Sequence, residues 1–244
     1  MKKIIVLGLL ASFWTWEAKA VIKLNQTFSA NGFAGTPQFA NSDNKRVAFF
    51  ADPGAVAFVE LFGVDYTLGP SSVTNLSAPL VMNGNVVDFL VSPDGNRAVF
   101  RSDKDTDDVF ELYSVSMTGG AITKLNSALV ANGDILANYQ ISPDSARVVY
   151  RADQDTDGIF ELYSAQIAAT GSTKLNNALV AGGNVFSFQI SSDSARVVYL
   201  ADQDTDTVNE LYSAQIAATG STKLNSALVA NGDVAGGFQI SADS

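Results

Sequence analysis

The sequence predicts an all-β chain, a β-propeller of four-stranded antiparallel blades, with about four complete blades and a partial fifth. Two observations carry this expectation. The first is a repeat: Arg46, Arg97, Arg147 and Arg196 each follow an Asp by three residues (Asp43, Asp94, Asp144, Asp193), at steps of 51, 50 and 49 residues. The second is the content of each repeat. An apolar run (Val47 to Phe50, Ala98 to Phe100, Val148 to Tyr150, Val197 to Tyr199) leads into an acidic loop. Glu-Leu-Tyr-Ser follows in three copies, then Lys-Leu-Asn or a relative of it. A unit of this length cannot bury its own apolar face and must stack on its neighbours. Four short strands in about 50 residues is the dimension of a propeller blade.

The third copy shows the elements in order. Ile135, Ala137, Tyr139 and Ile141 alternate, which predicts a strand with one packed face. Ser142-Pro143-Asp144-Ser145 is a tight turn, because Pro presets φ and Asp bonds the nearby backbone. Arg147 to Arg151 is a second strand rich in Val and Tyr, Asp153 to Gly158 the acidic loop, Phe160 to Ile167 a third strand and Ser172 to Leu175 a fourth. Asn-Gly or Gly-Gly punctuates every connection (Asn31-Gly32, Asn83-Gly84, Asn132-Gly133, Gly182-Gly183, Asn231-Gly232) and supplies the positive φ of a tight turn. Glu161 to Asn176 recurs unchanged as Glu210 to Asn225, the mark of an internal duplication. Blades are expected at about 36–76, 86–126, 135–176 and 185–225, with a partial fifth at 235–244. Val21 to Asn25 matches the fourth-strand pattern of Thr123 to Asn126, and would complete the last blade of a closed ring. The last residues stop in the phase of a hairpin turn, which would leave an unpaired strand edge. The expectation is a fragment, or a truncated reading frame, of a longer propeller.

Residues 1–20 read as a secretory signal peptide: Lys2 and Lys3, an apolar middle from Ile4 to Trp14, and the small-residue pattern Ala18-Lys19-Ala20. The apolar run is too short to span a membrane, and no other segment could. The net charge is −10, and loss of the signal with its three lysines and one glutamate leaves −12. That balance argues against binding nucleic acid through phosphates. The chain has no Cys and no His. Export without disulfides fits a bacterial periplasm or exterior, and a lipid-modified Cys at the cleavage site is excluded. Lack of His removes the Ser-His-Asp triad and nearly all zinc sites, so the chain alone is not expected to be an enzyme.

Ser92-Pro93-Asp94-Gly95-Asn96-Arg97-Ala98-Val99-Phe100, followed by Asp103-Lys104-Asp105 and Glu111-Leu112-Tyr113-Ser114, resembles the PD40, or WD40-like, repeat of TolB-type propellers. Ser142-Pro143-Asp144 through Glu161-Leu162-Tyr163 is similar, while the first copy (Ser42-Asp43-Asn44) and the fourth (Ser192-Asp193-Ser194) lack the Pro. The resemblance covers nearly all of the chain beyond the signal. It implies a six-bladed ring in a complete protein, a periplasmic protein-interaction role and no particular chemistry, since one fold hosts many functions.

Three loops carry the chemistry the chain offers. They run Asp103, Asp105, Asp107 to Glu111; Asp153, Asp155, Asp157 to Glu161; and Asp202, Asp204, Asp206 to Glu210. Carboxylates at positions 1, 3, 5 and 9 have the spacing of compact calcium loops, in which Ca²⁺ gathers six to eight oxygens. Solvated turns are the alternative, because Asp is common in turns for the bonds it makes to its own backbone. Position 6 of a calcium loop favours Gly, so Gly158 ranks the third copy first, Asp108 the second next, and the β-branched Thr207 the fourth last. The first copy keeps Asp52 and Glu60 with Pro53-Gly54-Ala55-Val56 between them and is no calcium loop. It nevertheless keeps the Glu, so Glu60, Glu111, Glu161 and Glu210 are expected to have a structural partner, for which the repeat Arg residues are candidates.

In a four-stranded meander the acidic loops share an end with Asn85, Asp134, Asn184 and Asp233, and that end should attract cations or a basic partner. The pairs Asp94 and Arg97, Asp144 and Arg147, and Asp193 and Arg196 lie at the other end, as structural turn pairs. The function expected first is a secreted or periplasmic noncatalytic scaffold that binds a protein or glycan, with Ca²⁺ stiffening one face. The rival is the propeller portion of a prolyl-oligopeptidase-like serine peptidase, whose catalytic domain would carry a Gly-x-Ser-x-Gly segment. A surface-layer or adhesion module is the third.

Overall fold

The structure is a computed structural model that describes residues 33–39, 45–52 and 58–242. The signal peptide, the strand expected at Val21 to Asn25, the Asp43 turn, the stretch 53–57 and the last two residues lie outside the described residues.

Four antiparallel sheets follow one another along the chain, each a meander. In the first, the short strands β1 (Phe33–Ala34) and β2 (Gln38–Phe39) both pair with β3 (Arg46–Asp52), which leads to β4 (Glu60–Asp65) and β5 (Thr74–Asn75). The second runs β6 (Val86–Val91), β7 (Arg97–Ser102), β8 (Glu111–Ser116), β9 (Thr123–Lys124). The third runs β10 (Gln140–Ile141), β11 (Arg147–Ala152), β12 (Glu161–Gln166), β13 (Ser172–Lys174). The fourth runs β14 (Val185–Ile190), β15 (Arg196–Ala201), β16 (Glu210–Gln215), β17 (Ser221–Lys223). Among the described residues the one helical element is a 3₁₀ turn at Gly69–Ser72, and no helix is long and apolar enough to cross a membrane.

Two elements differ from expectation. The strand expected from Ile135 to Ile141 is broken: Ile135 bridges Ala152 alone, and the ladder resumes at Gln140. Ile135 and Tyr139 are buried all the same, while Ala137 between them is exposed, so the alternation marks core positions only in part. The neighbouring innermost strands solve the same length mismatch with β-bulges, at Val87 and at Phe186. Residues 235–242 form no strand, yet the Phe238 carbonyl accepts a hydrogen bond from Gln189 and the Ala242 carbonyl one from Ser192.

Alternation along the two central strands gives each blade two apolar faces. One carries a cross-strand aromatic pair: Phe49 with Phe62, Phe100 with Tyr113, Tyr150 with Tyr163 and Tyr199 with Tyr212, with ring centroids 5.4–5.8 Å apart. The other carries three aliphatic residues. Ala48, Leu61 and Leu76 of the first blade pack on Phe100 and Tyr113 of the second. Val99, Leu112 and Leu125 pack on Tyr150 and Tyr163 of the third. Val149, Leu162 and Leu175 pack on Tyr199 and Tyr212 of the fourth. Stacking therefore decides burial: Leu76, Leu125 and Leu175 are 0–1% exposed, whereas the equivalent Leu224 of the last blade is 51% exposed.

Polar fasteners repeat at every junction. On the innermost strands, Gln38 and Gln140 donate to the carbonyls of Phe89 and Phe188 in the next blade. Arg101 and Arg151 do the same to Ile135 and Val185. At the Asp-Arg turns, Ser145 and Ser194 accept the backbone N–H of Asp94 and Asp144 from the preceding blade.

Candidate functional site

The acidic loops and the connections between blades meet at one end of the sheets. The first Asp of each loop holds the two together. Asp103, Asp153 and Asp202 are buried, and each accepts the backbone N–H of the residue five further on (Asp108, Gly158, Thr207) at 3.0–3.2 Å. With the other oxygen each accepts the N–H of Asn85, Asp134 or Asn184 at 2.5–2.6 Å. Those three residues then reach back across the junction. Their side-chain oxygens accept the N–H of Val59, Phe110 and Phe160, and Asp233 accepts that of Asn209. The Gly pairs make the approach possible. The first member takes positive φ (Asn83 66°, Asn132 63°, Gly182 87°). A Cβ on the second member at Gly133 or Gly183 would meet the Asp153 or Asp202 carbonyl at 2.9 or 2.7 Å.

Positions 3 and 9 turn to a lysine. Lys124 of β9 donates to Asp105 at 3.1 Å and to Glu111 at 2.5 Å. Lys174 contacts Asp155 and Glu161 at 2.7 and 2.6 Å, and Lys223 contacts Asp204 and Glu210 at the same two distances. Each Glu also accepts the hydroxyl of the Tyr two residues on (Tyr113, Tyr163, Tyr212) and an Asn amide. The expected Arg partners of these Glu residues are thus corrected to Lys. The register of β8 with β9 puts Tyr113 opposite Lys124, and the lysine reaches the Glu diagonally. In the first blade Asn75 stands at the lysine position and donates to Glu60 at 2.9 Å.

These contacts set the protonation states. Hydrogen bonds from Lys223 hold Asp204 below the ordinary carboxylate range, and the same contacts raise Lys223. Burial works against the ionised form of Asp105, but Lys104 and Lys124 outweigh it and its carboxyl is lowered. Burial, then the charge of Glu111 or Glu161, pushes Tyr113 and Tyr163 far upward, so they stay protonated donors.

Position 5 is exposed in all three loops, with Asp107 and Asp157 accepting from Asn83 and Asn132. Position 6 has positive φ in each: Asp108 61°, Gly158 76° and Thr207 66°. Thr207 is β-branched, and such a residue disfavours that conformation. It adopts it because the bond from its N–H to Asp202 closes the loop, at a strain of about 1–3 kcal/mol. The carboxylates of Asp103, Asp107 and Asp108 bring one oxygen each within 4.8 Å of one another, the one such group among the described residues. The spacing of positions 1, 3, 5 and 9 therefore does not gather four carboxylates on one point. Position 1 binds backbone, 3 and 9 bind lysine, and 5 faces solvent.

At the opposite end the turns are built on a serine. Ser92, Ser142 and Ser191 are buried, and each donates to the turn Asp (Asp94, Asp144, Asp193) and accepts the N–H of the turn Arg. The Asp also caps the N–H of Asn96, Ala146 or Ala195. Each Arg aims elsewhere: Arg97, Arg147 and Arg196 donate through Nε to Ser114, Ser164 and Ser213. Burial lowers the pKa of Arg97 and of Arg147, and Asp94 and Asp144 oppose it through charge alone.

Sequence reasoning missed position 2. Gln154 and Gln203 are buried and accept the hydroxyls of Tyr150 and Tyr199. In the second copy Phe100 lacks the hydroxyl, and Lys104 stands in place of the Gln. That coupled change between copies was the available signal.

Among solved structures, the chain is similar to one from a structural and mechanistic analysis of two prolyl endopeptidases, concerned with inter-domain dynamics in catalysis and specificity. The TM-score is 0.56 at 14% identity, and the match covers 81% of this chain and 30% of that one. The fold is a β-propeller. The likeness at this identity shows the architecture alone, and this propeller chain spans less than a third of its neighbour's length. No family model matches the chain, and no curated protein does.

Proposed function

We propose that this chain is a noncatalytic TolB-like propeller of PD40 repeats, exported to the periplasm or cell exterior, that binds a protein partner through its acidic-loop end. One observation carries the reading. Asp107, Asp157 and Asp206 project into solvent at the same position of three consecutive blades, spare of the bonds that occupy positions 1, 3 and 9. A row of like charges on a rigid scaffold favours a basic segment and steers its approach. The absence of His and Cys from the chain supports a binding role over a catalytic one. The test is fluorescence binding of lysine-rich and glutamate-rich peptides of equal length. The lysine-rich peptide should bind at least about tenfold tighter, lose affinity as salt rises, and lose it again on Asp107→Asn/Asp157→Asn/Asp206→Asn. Equal binding of both peptides would sink the reading, and salt-insensitive binding to a glycan would redirect it.

The structural neighbour favours a second reading, in which the propeller is one part of a larger prolyl-oligopeptidase-like serine peptidase. Joined to a domain with a Gly-x-Ser-x-Gly segment, the construction would cleave proline-containing peptides, and loss of cleavage on substitution of that Ser would decide it.

A further inference from the structure

We infer that lysine is the cation around which each acidic loop is built, so that the loops are closed without a metal and take up a divalent ion only when the lysine is removed. Four observations converge on this. In all three loops the ammonium of Lys124, Lys174 or Lys223 lies 2.5–3.1 Å from both an Asp at position 3 and the Glu at position 9. Each ammonium also lies 5.7–6.0 Å from the ring centroid of Tyr113, Tyr163 or Tyr212, within reach of a cation–π contact. Two carboxylates and an aromatic face satisfy a compact point charge with three donors.

The first copy is the internal control. There the Lys is Asn75, the Tyr is Phe62 and the position-3 Asp is Gly54, so three members of the cluster change together and only Glu60 remains. Glu60 is then met by the neutral amide of Asn75. A metal-binding loop that decayed would give no reason for the outer-strand lysine to vanish with it. A lysine-centred cluster does. The donor inventory agrees. Ca²⁺ requires six to eight oxygens at 2.3–2.6 Å. In the loop of the third blade both oxygens of Asp153 are taken by backbone N–H groups, and those of Glu161 by Lys174, Tyr163 and Asn176.

Thermal melting of the wild-type chain and of Lys174→Met, in EDTA and in about 5 mM CaCl₂, tests this. The wild type should shift by less than about 1 °C between the two solutions. Lys174→Met should melt several degrees lower in EDTA and regain part of the loss with Ca²⁺, while Asp155→Asn/Lys174→Met should regain none. Calcium stabilisation of the wild type that disappears in Asp155→Asn would overturn the inference. So would a Lys174→Met chain that melts like the wild type and ignores calcium. A measurement on the wild type stands if the variant does not fold. Amine acetylation followed by peptide mass analysis should modify Lys174 and Lys223 about tenfold more slowly than the exposed Lys45. Equal rates at the three lysines would overturn the inference as well.

Discussion

Leu175→Ala should destabilise the protein by about 3 kcal/mol, and Leu224→Ala by less than about 1 kcal/mol. The pair is a controlled comparison, because the sixteen residues from Glu161 to Asn176 and from Glu210 to Asn225 are identical. Strand propensity, local turns and the Lys-Glu contact are the same at both sites. The difference is the neighbour. Leu175 is fully buried against Val185, Phe188 and the Tyr199–Tyr212 pair of the next blade, while Leu224 is 51% exposed. Truncating Leu175 loses transfer free energy and leaves a cavity that two packed blades do not close. Truncating Leu224 removes a side chain already half in water. Urea denaturation of the two variants reads the difference, and equal losses would mean that the blades do not depend on stacking.

Asp153→Ala should cost about 3 kcal/mol, against less than about 0.5 kcal/mol for Asp157→Ala four residues on. Asp153 is 4% exposed and is the acceptor for the N–H groups of both Asp134 and Gly158. Removing it leaves two backbone donors at a partly buried site without their acceptor, and the cost is the loss of both charge-assisted bonds. Asp157 is exposed, with one long contact from Asn132. If the two carboxylates were comparable ligands of one ion, their losses would be similar and would depend on calcium. Denaturation in EDTA separates these outcomes.

The architecture was legible because a repeat states its own boundaries: the Asp-Arg turn, the apolar run and the Glu-Leu-Tyr-Ser strand recur at fixed offsets, and each becomes a turn or a central strand. The end shared by the acidic loops with Asn85, Asp134 and Asn184 followed from meander topology, and the bonds to Asp103, Asp153 and Asp202 run between those two segments. What escaped was side-chain pairing. Glu161 meets Lys174 across a turn from the outermost strand, thirteen residues on, and the offset of that strand against β12 is not written in either strand. An Arg of the same repeat was the nearest base in sequence, but Arg147 and Arg151 project from β11 toward Ser164 and Asn138. Loop spacing likewise does not state where the side chains point. Alternate residues share a side in a regular strand, whereas positions 1, 3 and 5 of a turn fan out. The positive φ of Thr207 shows the loop's hydrogen bonds overriding a residue preference.

Amide hydrogen exchange on the wild-type chain tests the junction scheme most directly. The N–H groups of Asp134 and Asn184 belong to connections between blades, where loop amides ordinarily exchange fast. Bonded to the buried Asp153 and Asp202, they should be protected about a hundredfold or more, together with the N–H groups of Phe110 and Phe160 that the same two residues accept. Exchange of these four amides at the rate of exposed turns, with the central strands still protected, would contradict the assignment of the acidic loops as the fasteners between blades.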